Sequence, residues 1–180
     1  MLRIALSLLV LGFAGSVALA ADEAKPPAPQ DAPAAQAPAP SAGAAAAGGP
    51  LETARAAEKG SLESPYADYA SVAEEGHKKY MAAGCNGCHG GGGGGGMGPP
   101  LTNSVWIYGK DGDTLFRLIA LGTVDFQKEG YTRKGSEAVV GPMPPFGGIV
   151  KSTDDLWKII AWIRSVNPSS AEGSPASATN

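Results

Sequence analysis

Two cysteines and a histidine lie within five consecutive residues, Cys85-Asn86-Gly87-Cys88-His89. Thiols at this spacing can form thioethers with the vinyl groups of a haem, and the adjacent histidine can then bind the iron. The alternative is a redox-active disulfide, but the surrounding sequence lacks the strand–helix–strand pattern of thioredoxin-like proteins, and that interpretation gives His89 no role. The chain has no other cysteine. The motif therefore predicts one covalently attached haem c with His89 as an iron ligand.

A second axial ligand to the iron would decide between electron transfer and ligand chemistry, and four residues are candidates: His77, Met81, Met97 and Met143. His77 and Met81 precede the motif on the helix that leads into it, so they cannot easily reach the opposite face of the iron. Met143 is flanked by prolines, whose fixed φ angles can hold a thioether in place at little entropic cost. We therefore predict Met143 as the ligand. A His/Met pair raises the haem potential and favours electron transfer over oxygen activation.

The spacing of apolar residues predicts three main helices, over 72–83, 114–121 and 153–166. No segment shows the alternating pattern of a strand. The predicted fold class is all-α with long loops, and loops of this length indicate that a cofactor fills the core.

Residues suited to helix capping stand at the three predicted helix starts: Ser71 with Glu74, Asp113, and Ser152 with Asp155. Gly122 is expected to end the second helix. Gly76 lies in the middle of the first helix, where glycine costs about 1 kcal/mol relative to alanine. We therefore expect another part of the chain to pack closely against Gly76.

Residues 1–20 have the features of a secretory signal peptide. Arg3 precedes an apolar run that extends to Phe13, and Ala18-Leu19-Ala20 forms a cleavage site of small residues. The apolar run is shorter than the roughly 20 residues that a membrane span needs. We expect cleavage before Ala21 and a soluble periplasmic protein without stable membrane insertion.

Composition divides the rest of the chain into three parts. Residues 21–65 consist mainly of Ala, Pro, Gly and Gln with scattered charges, and they have no large apolar cluster to bury. We predict a disordered Ala/Pro-rich tether over 21–65, because such a composition cannot offset the chain entropy lost on folding. The folded domain is predicted over 66–167, and residues 168–180 are predicted to be a disordered tail.

Charge and residue pairing exclude several functions. The net charge of −3 argues against nucleic acid, which requires a basic surface. No paired carboxylates and no Ser-His-Asp arrangement stand out, so catalysis by protein groups is not expected and the chain is predicted to be an electron-transfer protein rather than an enzyme. The run Gly90–Gly96 follows no predicted strand and opens no helix, so it is expected to be a pliable loop rather than a phosphate-binding loop.

The haem motif, the late Met143 in a proline-rich loop and the amphipathic final helix together resemble class I cytochromes c. The resemblance covers about residues 72–166. It implies the cytochrome c fold, with the first and last helices crossing where Gly76 and Tyr80 meet Trp162. It also implies that a proline after the motif supports His89, a role for which Pro99 and Pro100 are the candidates.

Two short segments, Gly98-Pro99-Pro100-Leu101-Thr102 and Trp106-Ile107-Tyr108-Gly109, extend the resemblance. They are similar to periplasmic cytochromes that accept electrons from PQQ-dependent methanol or alcohol dehydrogenases, and to a haem domain of the diheme subunit of cbb3-type oxidases. The resemblance implies a quinoprotein dehydrogenase as electron donor and another cytochrome c or a terminal oxidase as acceptor. Residues 125–140 form a longer segment than small cytochromes c have.

The predicted cofactor-binding residues are Cys85, Cys88, His89, Pro99, Trp106, Tyr108 and Met143, with His89 and Met143 on the iron. Trp106 and Tyr108 are expected to line the haem and to offer their polar edges to a propionate. Arg117 and Arg133 are further candidates for pairing with a propionate.

Two other functions remain open on the sequence. One is a haem protein with an open sixth position that binds a gas or peroxide. The other is a docking subunit of a dehydrogenase or oxidase, held near its partner by residues 21–65, which would raise the effective concentration of the haem domain.

Overall fold

The computed structural model describes residues 48–167 and residue 169, all of which belong to the unit Gln36–Asn180. The predicted signal peptide, residues 21–47 of the predicted tether and all of the predicted tail except Ser169 lie outside the described residues. Within them the chain forms five helices and no strand, which confirms the all-α class. The helices are α1 (Pro50–Ala56), α2 (Ala70–Ala82), α3 (Asn86–His89), α4 (Gly112–Lys128) and α5 (Thr153–Val166).

Helices α2 and α5 cross with their backbones in close contact at Gly76. A Cβ atom on Gly76 would lie 1.9 Å from the carbonyl oxygen of Lys158, so no larger residue fits without a shift of one helix. The Tyr80 ring packs on the Trp162 ring with centroids 4.2 Å apart. This confirms the predicted crossing and the expected packing reason for Gly76.

Charged side chains surround this crossing. Lys79 pairs with Asp155 at 2.9 Å, and Lys158 pairs with both Glu75 and Asp154 at 3.0 Å. Partial burial opposes the charged form of Lys158, but its hydrogen bonds to Asp154 and Glu75 outweigh this effect and raise its pKa. These partly exposed ion pairs add to the contact between α2 and α5, while the backbone contact at Gly76 and the apolar packing bring the two helices together.

The helix caps agree with the sequence at α5 and differ at α2. Ser152 Oγ accepts a hydrogen bond from Asp155 N at 3.1 Å, as predicted. At α2 the predicted cap Ser71 is wrong, because Asp68 Oδ1 accepts from Ala70 N at 2.9 Å while Ser71 Oγ donates to the Asp68 carbonyl. The helix therefore begins at Ala70, two residues earlier than expected.

Helix α4 is longer than predicted and is broken at Gly122. It begins at Gly112, where Asp111 rather than Asp113 is the cap, with Asp111 Oδ1 accepting from Thr114 N at 2.8 Å. Gly122 has φ 70° and ψ 166°, outside the helical region, and a second helical stretch continues to Lys128. The glycine was expected to end the helix, whereas it joins two helical pieces.

Helix α1 lies within the segment that the sequence analysis assigned to a disordered tether. Pro50, Thr53 and Ala54 are buried, and the described residues 48–65 are therefore part of the fold. The physical reason is a cation on α4 that the composition of this segment does not reveal. Arg117 donates to the carbonyl oxygens of Ala54, Ala57 and Glu58.

Arg117 is itself only 2% exposed and is neutralised within its own helix. Its Nε lies 3.0 Å from both carboxylate oxygens of Asp113, and Tyr131 donates its hydroxyl proton to Asp113 Oδ2 at 3.1 Å. Helices end with unpaired carbonyls, and Arg117 satisfies those at the end of α1. The guanidinium thus connects α1 to α4.

None of the helices in the described part of the chain is long and apolar enough to cross a membrane.

Replacing Arg117 with methionine tests the attachment of α1. Arg117→Met leaves the Asp113 carboxylate buried without its cation, and losing one partner of a buried pair typically costs about 3–5 kcal/mol. We expect the free energy of unfolding of the haem-loaded protein to fall by this amount in a denaturant titration. We also expect faster proteolysis within residues 57–65.

Arg55→Met is the matched control, because Arg55 lies on α1 but is exposed. It should change the free energy of unfolding by no more than about 0.5 kcal/mol. Equal stability of the two variants would contradict the role given to Arg117.

Candidate functional site

One cavity of about 600 Å³ lies among α2, α3, α4, α5 and the loops that join them. This volume falls within the roughly 300–1,000 Å³ of cofactor sites. Its lining is predominantly apolar and includes all seven residues predicted to bind the cofactor: Cys85, Cys88, His89, Pro99, Trp106, Tyr108 and Met143.

The two cysteines enter the cavity wall from the short helix α3 and the residue before it. Cys85 is buried and Cys88 is half-buried, and no disulfide joins them. Burial raises the pKa of the Cys85 thiol to about 11, and the neighbouring Cys88 adds to the shift. This apolar position therefore disfavours a thiolate and is compatible with a neutral sulfur, such as the thioether that a haem vinyl group forms.

His89 is oriented by the proline that follows the motif. His89 Nδ1 lies 2.8 Å from the carbonyl oxygen of Pro99, and a backbone carbonyl at this position accepts the Nδ1 proton. Such a bond fixes the tautomer and leaves Nε2 to bind a metal. Of the two prolines that the resemblance offered, Pro99 makes this contact.

Gly98 allows the histidine ring to lie flat against the chain. A Cβ atom on Gly98 would be 2.9 Å from His89 Cε1 and 3.0 Å from Nδ1. The ring orientation therefore depends on the absence of a side chain at this position.

Met143 reaches the cavity from the proline-rich loop before α5 and is half-buried there. Both of its backbone groups bond to the residue after the break in α4: Thr123 N donates to Met143 O at 2.9 Å, and Met143 N donates to Thr123 Oγ1 at 3.0 Å. The other candidate ligands differ. Met81 does not line the cavity, and Met97 lines it but is 56% exposed.

His77 has a structural position that the sequence did not predict. It stacks on Trp162 with centroids 4.7 Å apart, and its Nε2 lies 2.7 Å from the Gly91 carbonyl. The Tyr80 hydroxyl donates to the Gly90 carbonyl at 2.6 Å. His77 on α2 thus contacts both α5, through Trp162, and the start of the glycine run, through the Gly91 carbonyl.

The glycine run folds back on the haem motif instead of extending as a pliable loop. Gly95 N donates to the His89 carbonyl at 2.8 Å, and Leu101 N donates to the Gly93 carbonyl at 2.7 Å. Gly93 has φ 75°, and a Cβ there would be 3.3 Å from Leu101 Cβ and 3.5 Å from the Trp162 ring. Glycine is needed at this position for both backbone conformation and space.

Trp106 and Tyr108 both line the cavity, but their polar edges differ from the expectation. Trp106 Nε1 donates to Ser169 Oγ at 2.7 Å, so the indole N–H is used by the C-terminal segment and not by a propionate. The Tyr108 hydroxyl accepts from Gln127 Nε2 at 3.0 Å. Its own proton can still be donated, and propionate binding by Tyr108 stays a prediction.

Of the two arginines that were candidates for binding a propionate, only Arg133 lines the cavity. Arg117 bonds to Asp113 and α1, as described above, and does not line the cavity. Arg133 lines the cavity and donates from one guanidinium nitrogen to the Glu137 carbonyl at 3.0 Å.

Sequence reasoning missed three polar residues of the cavity wall: Thr123, Gln127 and Asn167. Thr123 and Gln127 follow Gly122, where a helix was expected to end. Asn167 was taken as the last residue of the domain, whereas its side-chain amide donates to the carbonyls of Leu101 and Asn103. No local signal identifies these residues, since the side chains of Thr123 and Gln127 bond to residues 20 and 19 positions away, and the Asn167 amide donates to residues more than sixty positions away.

The fold and the site together define a class I c-type cytochrome. The family model described as cytochrome c oxidase, cbb3-type, subunit III matches residues 71–163, just over half of the chain. The chain belongs to this family. Membership carries covalently bound haem c, and the cavity with its two thiols and its oriented histidine fits that group.

A solved structure is also similar to this chain: cytochrome CL from the marine methylotrophic bacterium Methylophaga aminisulfidivorans. It shares 25% sequence identity over 65% of this chain and 73% of that chain, with a TM-score of 0.42. No curated protein matches the chain.

Adding one methyl group at Gly98 tests the positioning of His89. Gly98→Ala places a Cβ within 3.0 Å of the ring, and overpacking of this kind typically costs about 1–3 kcal/mol. We expect the haem-loaded variant to unfold at lower denaturant concentration and to show a shifted absorption spectrum because the ring must move.

Gly94→Ala is the matched control in the same glycine-rich loop, since a Cβ there meets no atom within 4 Å. It should keep the wild-type spectrum. If Gly98→Ala and Gly94→Ala behave alike, the close contact between Gly98 and His89 does not constrain the site.

Proposed function

We propose that this protein is a periplasmic electron carrier with one covalent haem c, ligated by His89 and Met143. The observation that carries the proposal is that Cys85, Cys88, His89 and Met143 all line one apolar cavity. In it His89 is oriented by the Pro99 carbonyl, and the Met143 backbone is bonded to Thr123. No further cysteine is present to attach a second haem. The periplasmic location rests on the signal-peptide features of residues 1–20.

When bound, the haem supplies a one-electron iron couple. The residues of the chain set the properties of that couple. Pro99 keeps the His89 proton on Nδ1, which makes Nε2 a good donor to a metal. Cys85 lies buried in the apolar wall of the cavity, and a thioether ligand from Met143 would favour the reduced state of the haem iron.

The donor that we propose is a PQQ-dependent methanol or alcohol dehydrogenase, and the acceptor another cytochrome c or a terminal oxidase. Support comes from the sequence similarity of residues 98–102 and 106–109 to cytochromes that serve such dehydrogenases. Nearly all of these residues line the cavity, so the similarity lies in the part of the fold that surrounds the cofactor.

The surface for a redox partner is proposed at the cavity mouth, where exposed apolar residues gather. Met97, Val139 and Val140 all line the cavity and are exposed, Val140 to 78%. Val140 N donates to the Met97 carbonyl at 3.1 Å, which joins the two segments into one patch. Electron exchange needs close approach to the cofactor, and an apolar patch allows that approach without desolvating charges.

Met143→Ala tests the iron ligation. Removing the thioether should lower the reduction potential, abolish the sulfur-to-iron charge-transfer band of the oxidised protein, and let carbon monoxide bind the reduced protein rapidly. Optical spectra and redox titration measure all three.

Met97→Ala is the matched control, because Met97 is the other methionine in the cavity wall. It should keep the band and bind carbon monoxide slowly. A wild-type spectrum for Met143→Ala would remove Met143 as the ligand, and rapid gas binding by the unmodified protein would favour a gas- or peroxide-binding protein instead.

Val140→Glu tests the patch at the cavity mouth. Electron self-exchange between oxidised and reduced copies requires two patches to meet, and a like charge on each copy opposes that encounter. We expect the self-exchange rate, measured by NMR line exchange at low salt, to fall by about tenfold or more.

Val124→Glu is the control, since Val124 is also exposed but does not line the cavity. It should leave self-exchange within about twofold of the wild type. An equal effect of both substitutions would mean that net charge, and not the position of the patch, governs the rate.

A further inference from the structure

The loop that carries Met143 is bonded to α4 at the place where that helix is broken. In a continuous helix the carbonyls of Ile119 and Ala120 would accept from residues 123 and 124. Here they accept from the loop instead, Ile119 O from Phe146 N at 2.9 Å and Ala120 O from Gly147 N at 3.0 Å. The break thus exchanges bonds within the helix for bonds to the loop.

Gly122 makes this exchange possible. Its φ of 70° with ψ of 166° is a conformation open essentially to glycine alone. A Cβ at Gly122 would lie 2.6 Å from Pro145 N and 2.8 Å from the Met143 carbonyl oxygen. The loop therefore rests directly on the backbone of the break.

Thr123, the next residue, bonds to both backbone groups of Met143. Its N–H donates to the Met143 carbonyl at 2.9 Å, and its Oγ1 accepts from the Met143 N–H at 3.0 Å. Prolines 142, 144 and 145 have no N–H to offer. Between residues 142 and 145, Met143 is thus the only residue with a backbone N–H, and Thr123 accepts from it.

We propose that the Thr123 side chain is a positioning residue for Met143. Its oxygen fixes the Met143 backbone at the wall of the cavity, and thereby fixes where the thioether lies. The proposal rests on the ligation proposed above, because the thioether has an iron to reach only if Met143 is the ligand.

Exchanging the hydroxyl at position 123 in the haem-loaded protein tests the proposal. Thr123→Val keeps the shape and removes Oγ1, whereas Thr123→Ser keeps the oxygen. A net hydrogen bond contributes about 0.5–1.5 kcal/mol, which corresponds to about a two- to twelvefold change in an equilibrium. We expect the valine variant to bind carbon monoxide about two- to twelvefold faster in the reduced state and to lose part of the charge-transfer band.

Thr123→Ser should restore both signals to within about twofold of the wild type. A merely structural role would instead lower stability while leaving the band and gas binding unchanged. If Thr123→Val does not load haem, Thr123→Ala and Thr123→Ser are compared, because these two variants differ by a single oxygen.

Met143→Ala separates the two proposals. If it leaves the band and gas binding unchanged, the ligation is overturned. If it opens the iron to carbon monoxide while the Thr123 variants that lack the oxygen match the wild type, the ligation stands and the role of Thr123 is overturned.

Discussion

The close approach of α2 and α5 at Gly76 is the contact on which the rest of the structure depends. The thiols and His89 follow directly from the end of α2, and the Met143 loop runs directly into α5. Because the two helices cross at a position without a side chain, the segments attached to them converge on one cavity. Trp162 connects α5 to two other parts of the fold: it contacts Tyr80 and His77 on α2, and it lies close to Gly93 in the glycine run.

A second constraint is that the proline-rich loop around Met143 has too few backbone N–H groups to be held by hydrogen bonds within the loop. Prolines limit the conformations of residues 142–145 but also remove the N–H groups that would anchor them. The broken helix α4 meets this need with carbonyls and with Thr123. The two walls of the cavity are thus built differently: the histidine side relies on the local bond between His89 and Pro99, and the methionine side relies on contacts across about twenty residues of sequence.

The chemistry of the site could be predicted from sequence because it is encoded locally. The haem attachment motif lies within five consecutive residues, Cys85 to His89, so it can be recognised without knowing the fold. The apolar pattern and the N-cap of α5 predicted its bounds, 153–166, correctly. Gly76 was also interpretable, because glycine in a helix has a cost that must be offset.

The parts that were predicted wrongly depend on distant partners. Helix α1 has the composition of a tether. It folds because Arg117, about sixty residues away, donates hydrogen bonds to the carbonyls at its end. Gly122 has the signature of a helix end, and only its contact with the Met143 loop shows that the helix resumes. Trp106 was expected to face a propionate, but its N–H is bonded to Ser169, which no local pattern indicates.

The attachment of α1 to α4 also determines how mechanical force would pass through the molecule. Helix α1 is bonded to Arg117 on α4, and it packs through Leu51 on Gly147, in the loop that follows Met143. A force applied at Gly48, just before α1, is therefore resisted first at α4 and at this loop, before it reaches α2 and the two cysteines. Such a force therefore acts on the Met143 side of the cavity and not on the side that carries Cys85, Cys88 and His89.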